Sequence, residues 1–220
     1  MSESSEPAGK STRSVRVRGH RALSVVPSPP PGGDRGPYAP IAIEWAFDNC
    51  GITTDDRLGE GALNVWGNSL PAHSLPTGEV LVHDIPFLFS GAGVAADNIR
   101  CGGQRLALAS AATDWLHLLA ASERRTEDVV QLHYADGACD PEWLRVSDFW
   151  PAQPRFGELL AFRSTGMHYP HHWQSNLDGQ IWLTRIPVPR RTPLASVQLP
   201  DNPAIHVFAM TLQLAQEPSP

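Results

Sequence analysis

The greatest concentration of chemically versatile side chains lies in residues Gly166–Asn176, with the sequence GMHYPHHWQSN. Imidazole binds transition metals and exchanges protons near neutral pH. The segment falls between two strand-like stretches, and loops between strands often carry binding and catalytic groups. Its composition therefore predicts a functional loop. Five of its residues carry this prediction: His168, Tyr169, His171, His172 and Trp173.

The backbone decides how the three histidines can combine. On an extended strand, His168 and His172 share one face and His171 points away. A helix would bring all three together, but Pro170 disfavours a helical conformation at the residue before it. A complete metal site would also need a distant ligand. The candidates for that ligand are His133, His206, Asp55 and Asp56.

Three interpretations of this segment stay open: a metal or catalytic site, an aromatic–histidine ligand-binding loop, and a packed structural loop. The first uses neutral or protonated imidazole as ligand, acid or base. Its candidate residues are His168, His171 and His172. The second uses ring faces and polar groups, and its candidates are Tyr169, Trp173 and Asn176.

A second candidate site is the polar turn Phe47–Asp56, with the sequence FDNCGITTDD. Calcium is bound by carboxylate and carbonyl oxygens, so Asp48, Asp55 and Asp56 are candidate metal ligands. The alternative is that the Asp and Asn side chains accept backbone N–H bonds in a tight turn. The cofactor is left open, with Ca²⁺ and a histidine-ligated transition metal as the two candidates.

Seven tryptophans are many for a chain of 220 residues. An exposed indole stacks on the apolar side of a sugar ring, while Asp, Asn and His bind the hydroxyl groups. Trp66 and Trp173 lie beside polar residues and are predicted platforms, and Asn68 is a predicted ligand contact next to Trp66. Three others fall within strand patterns and are predicted core residues: Trp45, Trp115 and Trp182.

The elements that must position these residues are predicted to be strands. From residue 41 onward, short segments rich in β-branched and aromatic residues alternate with Gly, Pro, Asp and Asn. Fourteen prolines after residue 40 argue against long helices, although the Ala- and Leu-rich stretch Ala107–Ala121 has a helix as its alternative. Roughly nine to eleven strands predict an antiparallel β-sandwich over residues 41–214, of jelly-roll or galactose-binding-like type.

The order of several motifs resembles the β-sandwich accessory module of bacterial glycoside hydrolases. The turn Phe47–Asp56 is similar to the "FDNVGITDD" that opens that module, and Asp97-Asn98 with Gly102–Gln104 is similar to its "DN…GQ" stretch. Three later segments continue the match in the same order: Tyr134–Gly137, Ser147–Trp150 and the closing residues 194–210.

This resemblance implies a stand-alone β-sandwich that recognises a carbohydrate or another polyhydroxylated small molecule. Two alternatives stay open. One is a small-molecule biosynthetic enzyme that uses the His-rich segment, with or without a metal. The other is a structural partner subunit without a ligand.

Composition restricts the partners and the cellular location that can be predicted for the protein. A net charge of −6 argues against general binding to nucleic acid or to an anionic membrane. The sequence has no apolar run of about 18 residues and no secretion signal, so a cytoplasmic location is predicted. Three cysteines without zinc-site spacing are predicted to be reduced thiols: Cys50, Cys101 and Cys139.

The two ends of the chain differ from the rest. Residues 1–40 are rich in Pro and Gly and poor in large apolar side chains, which predicts a disordered tail. The basic patch Arg13–Arg21 within it is either a docking arm for an acidic partner or nucleic acid, or a solvated segment. Residues 215–220 are predicted to be disordered as well.

Overall fold

The computed structural model describes residues 36–91, 95–150 and 153–216. Within them the chain forms sixteen strands, and its helices are three single turns of 3-10 type, Glu44–Ala46, Leu58–Glu60 and Ala72–Ser74. No helix in this part of the chain has the length and apolar character needed to cross a membrane. The strands are β1 (Tyr38–Ile41), β2 (Ile52–Thr53), β3 (Leu70–Pro71), β4 (Gly78–Val82), β5 (Ile85–Phe89), β6 (Ile99–Arg100), β7 (Arg105–Ala111), β8 (Thr113–Ser122), β9 (Thr126–Tyr134), β10 (Cys139–Val146), β11 (Leu159–Arg163), β12 (Met167–Tyr169), β13 (His172–Gln174), β14 (Gln180–Pro187), β15 (Leu194–Gln198) and β16 (Ile205–Leu214).

Two antiparallel sheets build the sandwich. The first has the order β1-β16-β8-β14-β11, with β6 also paired to β16, and the second has the order β10-β9-β15-β7. Because side chains alternate along a strand, Leu116 and Leu118 of β8 point between the sheets, toward Leu132 and Val197 of the second sheet. The predicted antiparallel β-sandwich is confirmed.

A second apolar layer covers part of the outer face of the first sheet. The hairpin β4–β5 lies there, and its residues Phe87 and Phe89 are almost fully buried. The Phe89 ring stacks on Phe208 of β16, with centroids 6.1 Å apart. The first sheet is therefore buried on both faces along much of its length.

The structure confirms some local predictions from the sequence and corrects others. The stretch Ala107–Ala121 forms β7 and β8 instead of a helix. The predicted boundary of the tail at residue 40 is wrong, because Tyr38–Ile41 forms β1 and pairs with β16. Residues 1–35 and 217–220 lie outside the described residues. All three cysteines are free thiols, and Trp182 is a core residue, whereas Trp45 is 44% exposed.

A buried carboxylate ties the loop after the first 3-10 helix to the sandwich. Asp97 is 2% exposed. Its two oxygens accept hydrogen bonds from the backbone N–H groups of Gly51 and Ile52, each at 2.9 Å. Asn98 Nδ2 donates to the same carboxylate at 2.7 Å. Burial raises the pKa of Asp97 to about 6, and these three donors oppose that increase.

The neighbouring residues extend this anchor to the last strand. Asn98 Oδ1 accepts from Asn49 Nδ2 at 3.2 Å and lies 2.9 Å from Nδ1 of the fully buried His206. Asp48 accepts from Arg100 N at 2.8 Å and from Gln104 Nε2 at 2.9 Å. The opening motif and the Asp97-Asn98…Gln104 motif are therefore hydrogen-bond partners of each other.

Replacing Asp97 with Asn tests this anchor. An amide oxygen can accept from one of the two backbone N–H groups, which leaves the other one buried and unpaired. We expect the free energy of unfolding, measured by urea denaturation at pH 7, to fall by about 1–3 kcal/mol. The matched control is Asp84→Asn, because Asp84 is exposed and its φ of 65° suits asparagine. Equal effects of the two variants would contradict the anchoring role.

His206 should make stability depend on pH. Burial, followed by the charge of Arg100, lowers the pKa of His206 from 6.5 to about 3. Between pH 6.5 and pH 4 the unfolded chain therefore binds a proton that the native protein does not, so stability falls as pH falls. This one group contributes a loss of about 1.4 kcal/mol per pH unit. Urea midpoints of His206→Gln should vary less over that range than those of the wild type, and parallel curves would overturn this account.

Candidate functional site

The His-rich segment forms a hairpin, although it was predicted to be a loop. Strands β12 and β13 pair across the two-residue turn Pro170–His171, with His168 opposite Trp173 and Tyr169 opposite His172. Cross-strand partners lie on the same face of a hairpin. His168 and Trp173 therefore share one face, and Tyr169 and His172 share the other. Placing His168 and His172 on one face was wrong, because the chain reverses direction between them.

The two faces of the hairpin have different surroundings. On one face the rings of Tyr169 and His172 stack at 5.0 Å, and His172 is exposed. On the other face His168 is fully buried, while Trp173 is 51% exposed. Gly166 allows this packing, because a Cβ at that position would lie 2.5 Å from Trp173 Nε1.

Backbone hydrogen bonds fix the hairpin to the loop that precedes β3. His168 N donates to Ser69 O at 2.9 Å, and Ser69 N donates to His168 O at 3.0 Å. Strand β3 pairs in parallel with β2 through Ile52 and Leu70. This chain of pairings places the His168 side chain beside Thr53, two residues after the Gly51 N–H group that Asp97 binds.

His168 links an exposed carboxylate to two buried hydroxyl groups. Its Nδ1 lies 2.8 Å from Thr53 Oγ1, which lies 2.6 Å from Ser69 Oγ. Its Nε2 lies 3.2 Å from Asp55 Oδ1, outside hydrogen-bond geometry, and has no hydrogen-bond partner among the described residues. The Asp55 side chain is 82% exposed. The chain of contacts therefore runs from solvent into the core.

The protonation of His168 follows from its neighbours. Burial lowers the pKa of His168, the nearby His73 lowers it further, and Asp55 opposes both effects. A neutral imidazole carries a single proton, and the carboxylate beside Nε2 favours that position. Thr53 then donates to Nδ1, and Ser69 donates to Thr53. We assign this tautomer from the network of hydrogen bonds.

The order carboxylate, imidazole, hydroxyl is also the order of a catalytic triad. Here the positions relative to solvent are reversed, since Thr53 and Ser69 are buried and Asp55 is exposed. A hydroxyl nucleophile in this arrangement would not reach a substrate. The group presented to solvent is the carboxylate, positioned over a buried histidine.

His73 and Trp173 complete the exposed part of the site. The His73 side chain is 52% exposed, and its Nδ1 lies 3.8 Å from Asp55 Oδ1. Its ring meets the Trp173 ring edge-on, with centroids 6.4 Å apart. We call Asp55, His73 and Trp173 the Asp55 surface. Sequence reasoning missed His73, because a single histidine in the turn-like segment PAHSLP has no distinguishing neighbours.

The other predicted ligand contacts have separate outcomes. Trp66 is 65% exposed, and the backbone of its neighbour Gly67 lies against Pro170, so it stays a candidate platform beside the hairpin. Asn176 is exposed in the turn after β13, and His171 is exposed at the hairpin tip. Asn68 is 3% exposed, and its Nδ2 donates to His168 O at 3.4 Å. It supports the hairpin from inside, and its predicted role in ligand binding stays a prediction.

The predicted metal ligands do not form one set. Asp48 accepts hydrogen bonds from Arg100 and Gln104. Asp56 is exposed, and a hydrogen bond from Thr54 lowers its pKa. The described residues contain no group of three or more His, Cys, Asp or Glu side chains placed to hold a metal ion. A calcium site that uses one or more of these aspartates stays a prediction.

The more distant histidines do not complete a site around His168 either. His206 belongs to the buried network with Asn98. His133 lies on β9 in the second sheet. Of the distant ligands proposed from the sequence, Asp55 is the one that reaches His168.

Two antiparallel sheets that pack face to face define the class of this protein as a β-sandwich domain. Residues 37–216 match the family model described as the AziU2-like β-sandwich domain, and the chain belongs to this family. No curated protein matches the chain. The β-sandwich part of the resemblance noted in the sequence is confirmed, while its link to glycoside hydrolases and to carbohydrate stays a prediction.

Replacing His168 with Gln tests its role in the structure. A glutamine side chain cannot face both Thr53 and Asp55 as the imidazole ring does. The buried hydroxyl of Thr53 therefore loses its acceptor. We expect the free energy of unfolding to fall by about 1–3 kcal/mol in urea denaturation. His172→Gln, in the same hairpin but exposed, should change it by less than about 0.5 kcal/mol. A larger loss for His172→Gln than for His168→Gln would contradict the assignment.

Proposed function

We propose that the domain recognises a polyhydroxylated small molecule, such as a carbohydrate, on the Asp55 surface. The observation that carries this proposal is the placement of the exposed Asp55 carboxylate 3.2 Å from buried His168, beside the exposed indole of Trp173. A carboxylate accepts hydrogen bonds from two neighbouring hydroxyl groups, and an indole offers an apolar face to the C–H side of the ring.

The polar partners on this surface suit neutral hydroxyl groups. Asp55 is an acceptor when ionised, and the imidazole of His73 supplies one donor and one acceptor when neutral. The ring of His73 stands edge-on to Trp173 and extends the contact area. His168 beneath them has no exposed surface, so it acts on a ligand through the position of Asp55.

A second candidate function is acid–base catalysis on a small molecule. The observation in its favour is that a carboxylate and an exposed imidazole lie 3.8 Å apart on the same surface. Groups at such a distance can move a proton to or from a bound substrate. Both candidate functions use the same residues, and they differ in whether the bound molecule is chemically altered.

Binding of a saccharide and polyol panel tests the first candidate. Isothermal titration with glucose, maltose and myo-inositol should reveal at least one ligand. Trp173→Ala should weaken its binding by about 1–3 kcal/mol, by analogy with the stacking of bases on aromatic side chains. Trp143→Ala is the matched control, because Trp143 is 52% exposed on β10, in the second sheet of the sandwich.

Asp55→Asn should also weaken binding, since an amide accepts fewer hydroxyl donors than a carboxylate. Loss of affinity to the same degree in Trp143→Ala, or absence of binding by every member of the panel, would overturn the proposal. Mass spectrometry of the ligand after incubation separates the two candidates, because a change in its mass would favour catalysis.

A further inference from the structure

A cleft opens on the outer face of the first sheet, beyond the part that hairpin β4–β5 covers. It has a volume of about 560 Å³, and its walls come from β5, β8, β14 and the segment before β11. No residue of the Asp55 surface lines it. Small-molecule sites usually have volumes of about 300–1,000 Å³, so the cleft has room for a compact organic ligand.

An arginine that has no acidic partner among the described residues marks one side of this cleft. Arg185 is exposed on β14, and its guanidinium carbon lies 4.4 Å from the centroid of the Trp115 ring. Four other arginines form ion pairs with carboxylates: Arg57, Arg145, Arg190 and Arg191. Within this part of the chain, Arg185 is held by an aromatic face and keeps its N–H groups available to an anion.

The floor of the cleft comes from β8. Trp115 and His117 are two residues apart and face the same side, and His117 is opposite Arg185 in the pairing of β8 with β14. His117 is 4% exposed, and its Nε2 lies 3.0 Å from Gln213 Oε1. Burial lowers the pKa of His117, which keeps the ring neutral near pH 7. The Trp115 indole, only partly buried, therefore supplies the aromatic surface of the floor.

The acidic side chain of the cleft is hydrogen-bonded to backbone N–H groups. Glu158 is 5% exposed, and its two oxygens accept from Ser147 N at 2.8 Å and Phe156 N at 2.7 Å. Its carboxylate holds the segment before β11 in place and does not pair with Arg185. Beside it, Leu159 is 49% exposed and adds an apolar wall.

We infer that this cleft binds a small carboxylate, with its planar or apolar body against Trp115 and Leu159 and its carboxylate on Arg185. The guanidinium fork matches a carboxylate through two parallel hydrogen bonds. Stacking on Trp115 restrains the arginine before the ligand arrives, which lowers the entropy lost on binding. This ligand is charged and its site is separate, so the inference does not rest on the saccharide proposal.

Paired acid and amide probes test the inference. Binding of benzoate and indole-3-acetate, each compared with its neutral carboxamide, is measured by titration calorimetry and by ligand-observed NMR. We expect at least one acid to bind at least tenfold more tightly than its amide. Arg185→Gln should remove this preference, and Arg185→Lys should keep part of it because the charge remains without the fork.

The matched control is Arg145→Gln. Arg145 also lies over a tryptophan, 5.6 Å from the ring of Trp143, but it is paired with Glu127 on the second sheet. This control should bind the acids as the wild type does. Equal affinity for acid and amide, absence of acid binding to the wild type, or equal losses in the Arg185 and Arg145 variants would overturn the inference. Saccharide affinity should be the same in Arg185→Gln as in the wild type.

Discussion

The buried carboxylate of Asp97 is the contact on which the polar surface of this domain depends. A buried charge is tolerated when hydrogen-bond donors replace the lost water, and here two of the donors are the backbone N–H groups of Gly51 and Ile52. Satisfying Asp97 therefore fixes the backbone of the loop before β2. Thr53 and Asp55 follow immediately, so their positions relative to His168 derive from the same anchor.

The contacts of His168 show how local packing decides chemistry. Its ring lies between a carboxylate and a hydroxyl group, as in hydrolytic enzymes. Here, however, the hydroxyl group is on the buried side. The same three side chains in the opposite orientation to solvent would present a nucleophile. In this orientation they present a positioned acceptor, which suits recognition of hydroxyl groups better than covalent catalysis.

The outer face of the first sheet supports a second, chemically different surface. Hairpin β4–β5 covers the apolar part of that face and borders the cleft, where His83 Nε2 lies 3.1 Å from Leu160 O. Beyond the hairpin the sheet carries Trp115 and Arg185 instead of aliphatic side chains. The Asp55 surface, which presents a carboxylate beside aromatic rings, and a cationic aromatic cleft on the sheet thus occur in one domain.

The amino-acid sequence by itself determined the all-β class, because alternating apolar residues and frequent Gly and Pro favour strands and disfavour helices. It also located the His-rich segment and the paired motifs around Asn49 and Asp97. The tertiary structure decided which groups meet, since Thr53 and His168 are 115 positions apart and no local pattern records such a contact. Periodicity likewise shows that Trp115 and His117 share a face, but only the position of hairpin β4–β5 determines that this end of the face stays uncovered. Local spacing specifies which side chains point together, whereas long-range strand pairing specifies what they point at.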